Sequence, residues 1–315
     1  MKAYPSIANI KVSVDPKLQL KRRIFQTSFF LLFIFAPIFV LFRLDLNLGH
    51  FIFLGQNWTL GLDAVQAGEG SATEAVLNIL LRAFLPFLGL ATAFLWVAWK
   101  YGRLYCGWLC PHFSVVEMVN SLMRKASGKF SLWDKKKSLY KVDGSKVETD
   151  KKYWWLVFIT VTGFAFLWAV VFLTYLLPPA EIYFNLVHFT LTRNQMLFIG
   201  VATFLLSIEF MFARHFFCRF ACAVGVFQSL VWMANKRAMV VSFDRKNAAQ
   251  CQGCHVACED ECPMRLKPRS IKRHMFNCTE CGRCLNACEQ VQLNKNKPSL
   301  LTWQDGQSAF QESDR

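Results

Sequence analysis

From Cys251 to Cys288 the chain reads CQGCHVACEDECPMRLKPRSIKRHMFNCTECGRCLNAC, and no other stretch limits the possible folds as severely. Its eight cysteines form two runs: Cys251, Cys254, Cys258 and Cys262 followed by Pro263, then Cys278, Cys281, Cys284 and Cys288. The second run is spaced C-x2-C-x2-C-x3-C. Three thiolates at that spacing wrap one iron-sulfur cube, and the fourth reaches a neighbouring cube. The rule assigns Cys251, Cys254, Cys258 and Cys288 to one [4Fe-4S] cluster, and Cys278, Cys281, Cys284 and Cys262 to a second. Crossed ligation of this kind ties both halves into one small ferredoxin-like α+β unit. The first run has three residues, His255–Ala257, where the pattern has two, so the loop around its cluster must differ. The competing reading is a pair of zinc sites. Zinc ribbons use two separated C-x2-C knuckles, whereas each run here packs four cysteines into at most twelve residues, which favours iron and sulfide.

The rest of the chain is too apolar for a soluble domain of 315 residues: 54% is hydrophobic, with 31 Phe and 10 Trp. Four segments have the length and apolarity to span a bilayer: 24–42, 75–98 (interrupted by Arg82 and Pro86), 153–177 and 196–213. The first lacks a small-residue cleavage site after it and is expected to remain as a span. Segments 1–23, 99–152 and 214–315 hold 6, 12 and 15 Lys and Arg, while the loops 43–74 and 178–195 hold one each. By the positive-inside rule both termini and the clusters face the cytoplasm of a bacterial inner membrane. This asymmetry also explains the net charge of +15 and removes the case for nucleic-acid binding.

Two segments resemble each other at an offset of 112: YGRLYCGWLCPHFSVVEMVNSLMRK from Tyr101 and ARHFFCRFACAVGVFQSLVWMANKR from Ala213. Each follows a span, carries C-x3-C and ends in a basic pair. The expected architecture is a membrane all-α protein, a four-helix transmembrane bundle of two hairpin repeats, each followed by a short helix lying at the membrane surface. The expected domains are a cytoplasmic segment 1–23, hairpins 24–125 and 153–237 separated by a linker 126–152, the double-cluster domain 238–302, and a disordered tail 303–315. Cys106 and Cys110, and Cys218 and Cys222, lie four positions apart, which on a helix places both sulfurs on one face. If the copies meet, four thiolates converge at the membrane edge and suit a soft metal, with a third iron-sulfur cluster, copper or structural zinc all open.

With four spans, CGWLCP and CRFAC, and the double cluster motif, the chain resembles the bacterial membrane-bound polyferredoxins, the 4Fe-4S proteins of NapH, NosR and CcoG/FixG type. The resemblance covers the chain from the first span to about Trp303, and departs from the family motif where Ala223 replaces the second proline. It implies electron relay between quinol or a cytoplasmic donor and a redox partner protein, or, for the oxidase-accessory branch, copper handling during oxidase assembly. Arg265, Lys267, Arg269, Lys272 and Arg273, interleaved with the cysteines, are expected to favour the more negative reduced state and to steer an acidic donor. Arg82 and Glu209 lie inside spans at depths too different to pair, and snorkelling is the simpler account of both. His112 and His215 flank membrane-edge cysteines as candidate auxiliary ligands or proton carriers, although interfacial packing is the simpler account, and His50 and His188 lie in the outer loops at a spacing that gives no support to a haem between them.

Overall fold

The computed structural model describes residues 17–313 apart from 63, 64, 66, 69, 136 and 139, so most of the expected N-terminal segment lies outside the described residues. Helix α1, Leu18–Phe35, runs from the cysteine-bearing end of the molecule to the opposite end. It stops ahead of Pro37, whose missing N–H and ring oppose further helix. A three-stranded meander follows: β1 Phe42–Asp45, β2 His50–Phe53 and β3 Gln56–Trp58. Leu54 and Gly55, both at positive φ, make the tight β2–β3 turn, and Leu44 and Leu46 bond the carbonyls of Tyr175 and Leu176. Helix α2, Ala72–Tyr101, is 30 residues long and hence about 45 Å, contains a π turn at Leu80–Phe84, and is largely exposed along its length, with Ala98 buried near its end.

Gly102 at φ +68 ends α2 and turns the chain into the short α3, Leu104–Trp108, and then α4, Pro111–Ser127. Helix α5, Tyr153–Thr174, is the most enclosed of the apolar helices. Val157, Val161, Ala165 and Ala169 bury its inner face, and it packs against both α4 and α7. After α6, Pro179–Val187, comes α7, Arg193–Ala213, capped at Thr192 by a reciprocal bond with Gln195 and ending in a π turn, Glu209–Ala213. A third π turn, Phe217–Ala221, leads into α8, Ala223–Ala234, which packs against α2.

The remaining unit starts at β4, Met239–Phe243, carries both cysteine runs with α9, Ala257–Asp260, and α10, Arg283–Leu293, and closes with β5, Leu301–Asp305. Strands β4 and β5 pair antiparallel, with Val241 opposite Trp303, and α11, Gly306–Ser313, packs against both.

Three differences from the sequence reading have physical causes. Among the described residues three helices, α2, α5 and α7, are long and apolar enough to cross a membrane. Helix α1 starts earlier and ends sooner than the expected span 24–42, and its first turns hold Lys21, Arg22 and Arg23. The segment from 303, expected as a disordered tail, is instead strand and helix through Ser313, because β4 offers Trp303 a pairing partner that the local sequence does not reveal. Helix α4 is more enclosed than a helix lying at a membrane surface is expected to be: Phe113, Val115, Val116, Val119 and Met123 are each at most 1% exposed, held between the apolar helices and the cysteine unit.

Candidate metal centres

Cys251, Cys254, Cys258 and Cys288 line one cavity, walled by Phe243, Ala257, Arg269 and Leu301. Cys262, Cys278, Cys281 and Cys284 line another, walled by Val241, Met264, Leu266 and Met275. Each is narrow, with about 10 Å3 of room for the centre of a water-sized sphere. Helix α10 is the shared wall. Cys284 and Cys288 lie one turn apart on it, and each faces a different cavity.

The additional residue in the first run is absorbed locally. His255 at φ +48 and Val256 at φ +54 are consecutive left-handed residues after Gly253 at φ +75, and this bend delivers Cys258 from the first turn of α9. The His255 ring stacks on Tyr140, centroids 4.5 Å apart, which fixes the bend against the 126–152 segment. In the second cavity the N–H of Leu266 donates to Cys262 Sγ at 3.4 Å, the kind of bond that stabilises a ligating thiolate.

As bare thiols, several of these groups are held toward the neutral form by burial. Burial pushes Cys258 up to about 12 and Cys262 up to about 11, neighbouring thiolates add to the effect, and Cys278 and Cys284 are raised well above the ordinary value by burial. Buried sulfurs raised in this way become stable thiolates only with cationic charge beside them. Among the described residues no three His, Cys, Asp or Glu side chains stand close enough to grip a single ion. Four cysteines around one largely apolar cavity, no three of them close enough to share one ion, therefore fit a cube of several irons and sulfides better than one zinc ion.

The membrane-edge cysteines also come together. Cys106 and Cys110 come from the first copy and Cys218 and Cys222 from the second, close enough that Cys106 feels Cys222, and Cys218 feels both Cys106 and Cys110. They do not share a continuous helix. Cys106 lies in α3 and Cys110 is the extended residue (φ −63, ψ 115) preceding α4, while Cys218 lies in a π turn and Cys222 (φ −72, ψ 105) precedes α8. The two breaks have the same geometry, so Ala223 in place of proline leaves the turn after Cys222 unchanged. Each second cysteine thus sits at a helix N-terminus, where free N–H groups favour a thiolate. Burial still dominates, pushing Cys110 up to about 12 against the backbone N–H groups of Phe113 and His112. Gln228 Nε2 donates to Cys106 Sγ at 3.7 Å.

Two buried arginines, missed in the sequence, lock the copies together. Arg103, 1% exposed, donates to the Cys218 carbonyl at 2.5 Å and to Asn277 Oδ1 at 2.8 Å. Arg214, fully buried, reaches the other way to Asn120 Oδ1 at 3.2 Å and the Phe130 carbonyl at 2.9 Å. Gly102 and Arg214 are equivalent positions at the repeat offset, and both have positive φ.

The membrane-edge site abuts the second cavity directly. A Cβ on Gly107 would stand 2.2 Å from the Thr279 carbonyl oxygen, and Trp108 Nε1 donates to the Glu280 carbonyl at 3.1 Å. A chain of ion pairs reinforces the join. Arg22 of α1 pairs with Glu117 of α4, Glu117 with Arg283 at 3.4 Å, Arg283 with Glu261 at 2.5 Å, and Glu261 with Arg124 at 3.0 Å. The three thiol groups therefore follow one another in space: first cavity, second cavity, membrane edge.

Of the basic residues among the cysteines, Arg265 pairs with Asp134, Arg269 with Glu259, and Lys272 donates to the carbonyls of Trp232 and Asn235. Arg82 and Glu209 do not meet. The Trp58 indole donates to the Arg82 carbonyl, while Glu209 pairs with His112 at 3.3 Å. His215 is buried and pushed down to about 3 by that burial and by Arg214, Arg219 and Arg265. His188 stacks on Phe184, and the His50 ring bonds the Leu48 carbonyl.

A family model described as a 4Fe-4S binding domain matches residues 83–129 and 194–239, the two repeat copies with their C-x3-C motifs. An uncharacterized protein of Methanocaldococcus jannaschii is 24% identical over 279 residues, 88% of this chain and 95% of that protein. The ferredoxin-type protein NapH of Haemophilus influenzae is 24% identical over 283 residues, 85% and 86% of the two chains. The putative electron transport protein YccM of Escherichia coli is 23% identical over 210 residues, 63% of this chain and about half of YccM, at 52%. No solved structure matches.

Proposed function

Because the chain belongs to the polyferredoxin-like membrane 4Fe-4S proteins, we propose that it is an electron relay with two [4Fe-4S] clusters in a ferredoxin-like unit on the cytoplasmic side of a four-span bundle. The observation that carries this reading is the pair of adjoining cavities, each lined by four cysteines and sharing α10. Cys251, Cys254, Cys258 and Cys288 would hold one cluster, and Cys262, Cys278, Cys281 and Cys284 the other. Bound [4Fe-4S] clusters supply one-electron redox chemistry with little change in shape.

The protein's own residues set the conditions. Leu266 N–H directs a hydrogen bond at Cys262, Arg269 places positive charge beside Cys251 and Cys258, and the apolar walls keep solvent from the sulfurs. All three favour added negative charge at the sites or limit its screening. The basic distribution supports both termini facing the cytoplasm, with α1, despite its charged first turns, as the fourth span. Quinol, or a cytoplasmic donor, and a respiratory redox protein are the proposed partners. The half-buried His112–Glu209 pair, at the membrane edge beside Cys218, is the polar pair best placed for a quinol headgroup.

A second reading concerns Cys106, Cys110, Cys218 and Cys222. The 4Fe-4S family match lies over these cysteines and not over the eight-cysteine stretch, which favours a third cluster there. Anaerobic purification with iron, sulfide, copper and zinc quantified, followed by EPR of the reduced protein, tests both readings. About eight irons per chain support two clusters and about twelve support three. Copper in place of iron at the membrane edge would favour oxidase-assembly chemistry. Protein without iron and sulfide would remove the relay.

A further inference from the structure

On the far side of β4 from the membrane-edge site lies a cleft with about 670 Å3 of room for solvent, within the range of small-molecule sites. Lys236, Arg237, Arg245, Arg269 and Lys272 line it, and no acidic side chain does. Lys236 and Arg237 make no ion pair among the described residues, and Arg237 shares only a hydrogen bond with Gln307. Arg269, which also lines the first cysteine cavity, is paired with Glu259. Between these cations the wall is apolar: Met233, Val240, Phe243, Ile271 and Ala309. An apolar wall beside positive charge suits a ring system carrying a phosphate.

The position of the cleft narrows the class. Phe243 and Arg269 line both the cleft and the first cysteine cavity, and Val241 lines both the cleft and the second. One side chain therefore separates a molecule in the cleft from either candidate cluster. We propose that this cleft is a binding site for a phosphate-bearing flavin, its ring against Val240, Phe243 and Ile271 and its phosphate on Lys236 and Arg237. The choice of a flavin over other planar phosphates rests on the electron-relay reading, because flavins can exchange electrons singly with one-electron carriers. Binding itself does not depend on that reading. The other source of such a phosphate is an anionic lipid headgroup, since Lys236 and Arg237 follow the end of the apolar helix α8.

The test is equilibrium dialysis of flavin mononucleotide against the full chain, purified anaerobically, with free flavin read by its fluorescence in the dialysate. Parallel arms use riboflavin, which lacks the phosphate, and phosphatidylglycerol as competitor. The proposal expects saturable micromolar binding of flavin mononucleotide, at least about tenfold weaker binding of riboflavin, and little competition by the lipid. Lys236→Ala with Arg237→Ala, and separately Ile271→Glu in the half-open wall, should each weaken binding about tenfold or more without lowering iron content. No saturable binding, binding indifferent to these changes, or displacement by phosphatidylglycerol would overturn it. Iron and sulfide are measured on the same preparations. Loss of flavin binding with the metal retained counts against the cleft alone, and loss of metal with flavin still bound counts against the relay alone.

Discussion

Gly107 is where the join between the membrane repeat and the cysteine unit can be tested most sharply. Its φ is unexceptional, so an alanine meets no backbone penalty, and the whole effect comes from the added methyl group. That carbon would stand 2.2 Å from the Thr279 carbonyl oxygen, where non-bonded carbon and oxygen ordinarily settle at about 3.3 Å or beyond. Loops carrying Cys106 and Cys278 must then part by about 1 Å. Overpacking of this kind costs about 1–3 kcal/mol, and parting also strains the Trp108 bond to Glu280 and the Arg22 bond to the Gly107 carbonyl, each contributing about 1 kcal/mol. Against this, alanine gains up to about 1 kcal/mol over glycine in a helix. The net expectation for Gly107→Ala is a loss of about 1–4 kcal/mol, seen as iron released at a temperature several degrees lower on anaerobic heating with a chelator. Gly163→Ala in α5 meets nothing within 4 Å and should leave that temperature unchanged or slightly raised. If Gly107→Ala releases iron at the wild-type temperature while Gly163→Ala behaves as expected, the close join is wrong.

Crossed ligation predicts that Cys251→Ser and Cys288→Ser combined lose no more iron than either alone, about four per chain, whereas Cys278→Ser with Cys288→Ser loses about eight; iron and sulfide assays decide, and the reverse pattern would uncross the ligands. Glu117→Gln leaves Arg22, 3% exposed, without its carboxylate and should cost about 3 kcal/mol, measured by the same thermal release, with Glu148→Gln, on an exposed residue, near wild type. His215 is pushed down to about 3, while an unfolded histidine titrates near about 6.5, so the unfolded state binds the proton more readily. Its contribution is intact above about pH 6.5 and is lost as pH falls below it, by about 1.4 kcal/mol per unit; the thermal midpoint should fall between pH 7 and 5.5, and fall less in His215→Gln.

Local spacing was enough for the sequence to sort the eight C-terminal cysteines into the two groups of four that line the two cavities, since the reach of a short loop limits which sulfurs can face one space. Spacing and hydropathy likewise revealed the repeat, the apolar helices and the charge asymmetry. Spacing could not reveal that each C-x3-C breaks its helix, because four residues on a helix and four across a turn read alike. Nor could it reveal the exchange of Arg103 and Arg214 between copies, the pairing of Trp303 with Val241, or the single contact at Gly107 that sets the membrane-edge thiols beside the second cavity. Those features join residues far apart in the chain, and only packing decides which buried donor finds which carbonyl and where two backbones can touch.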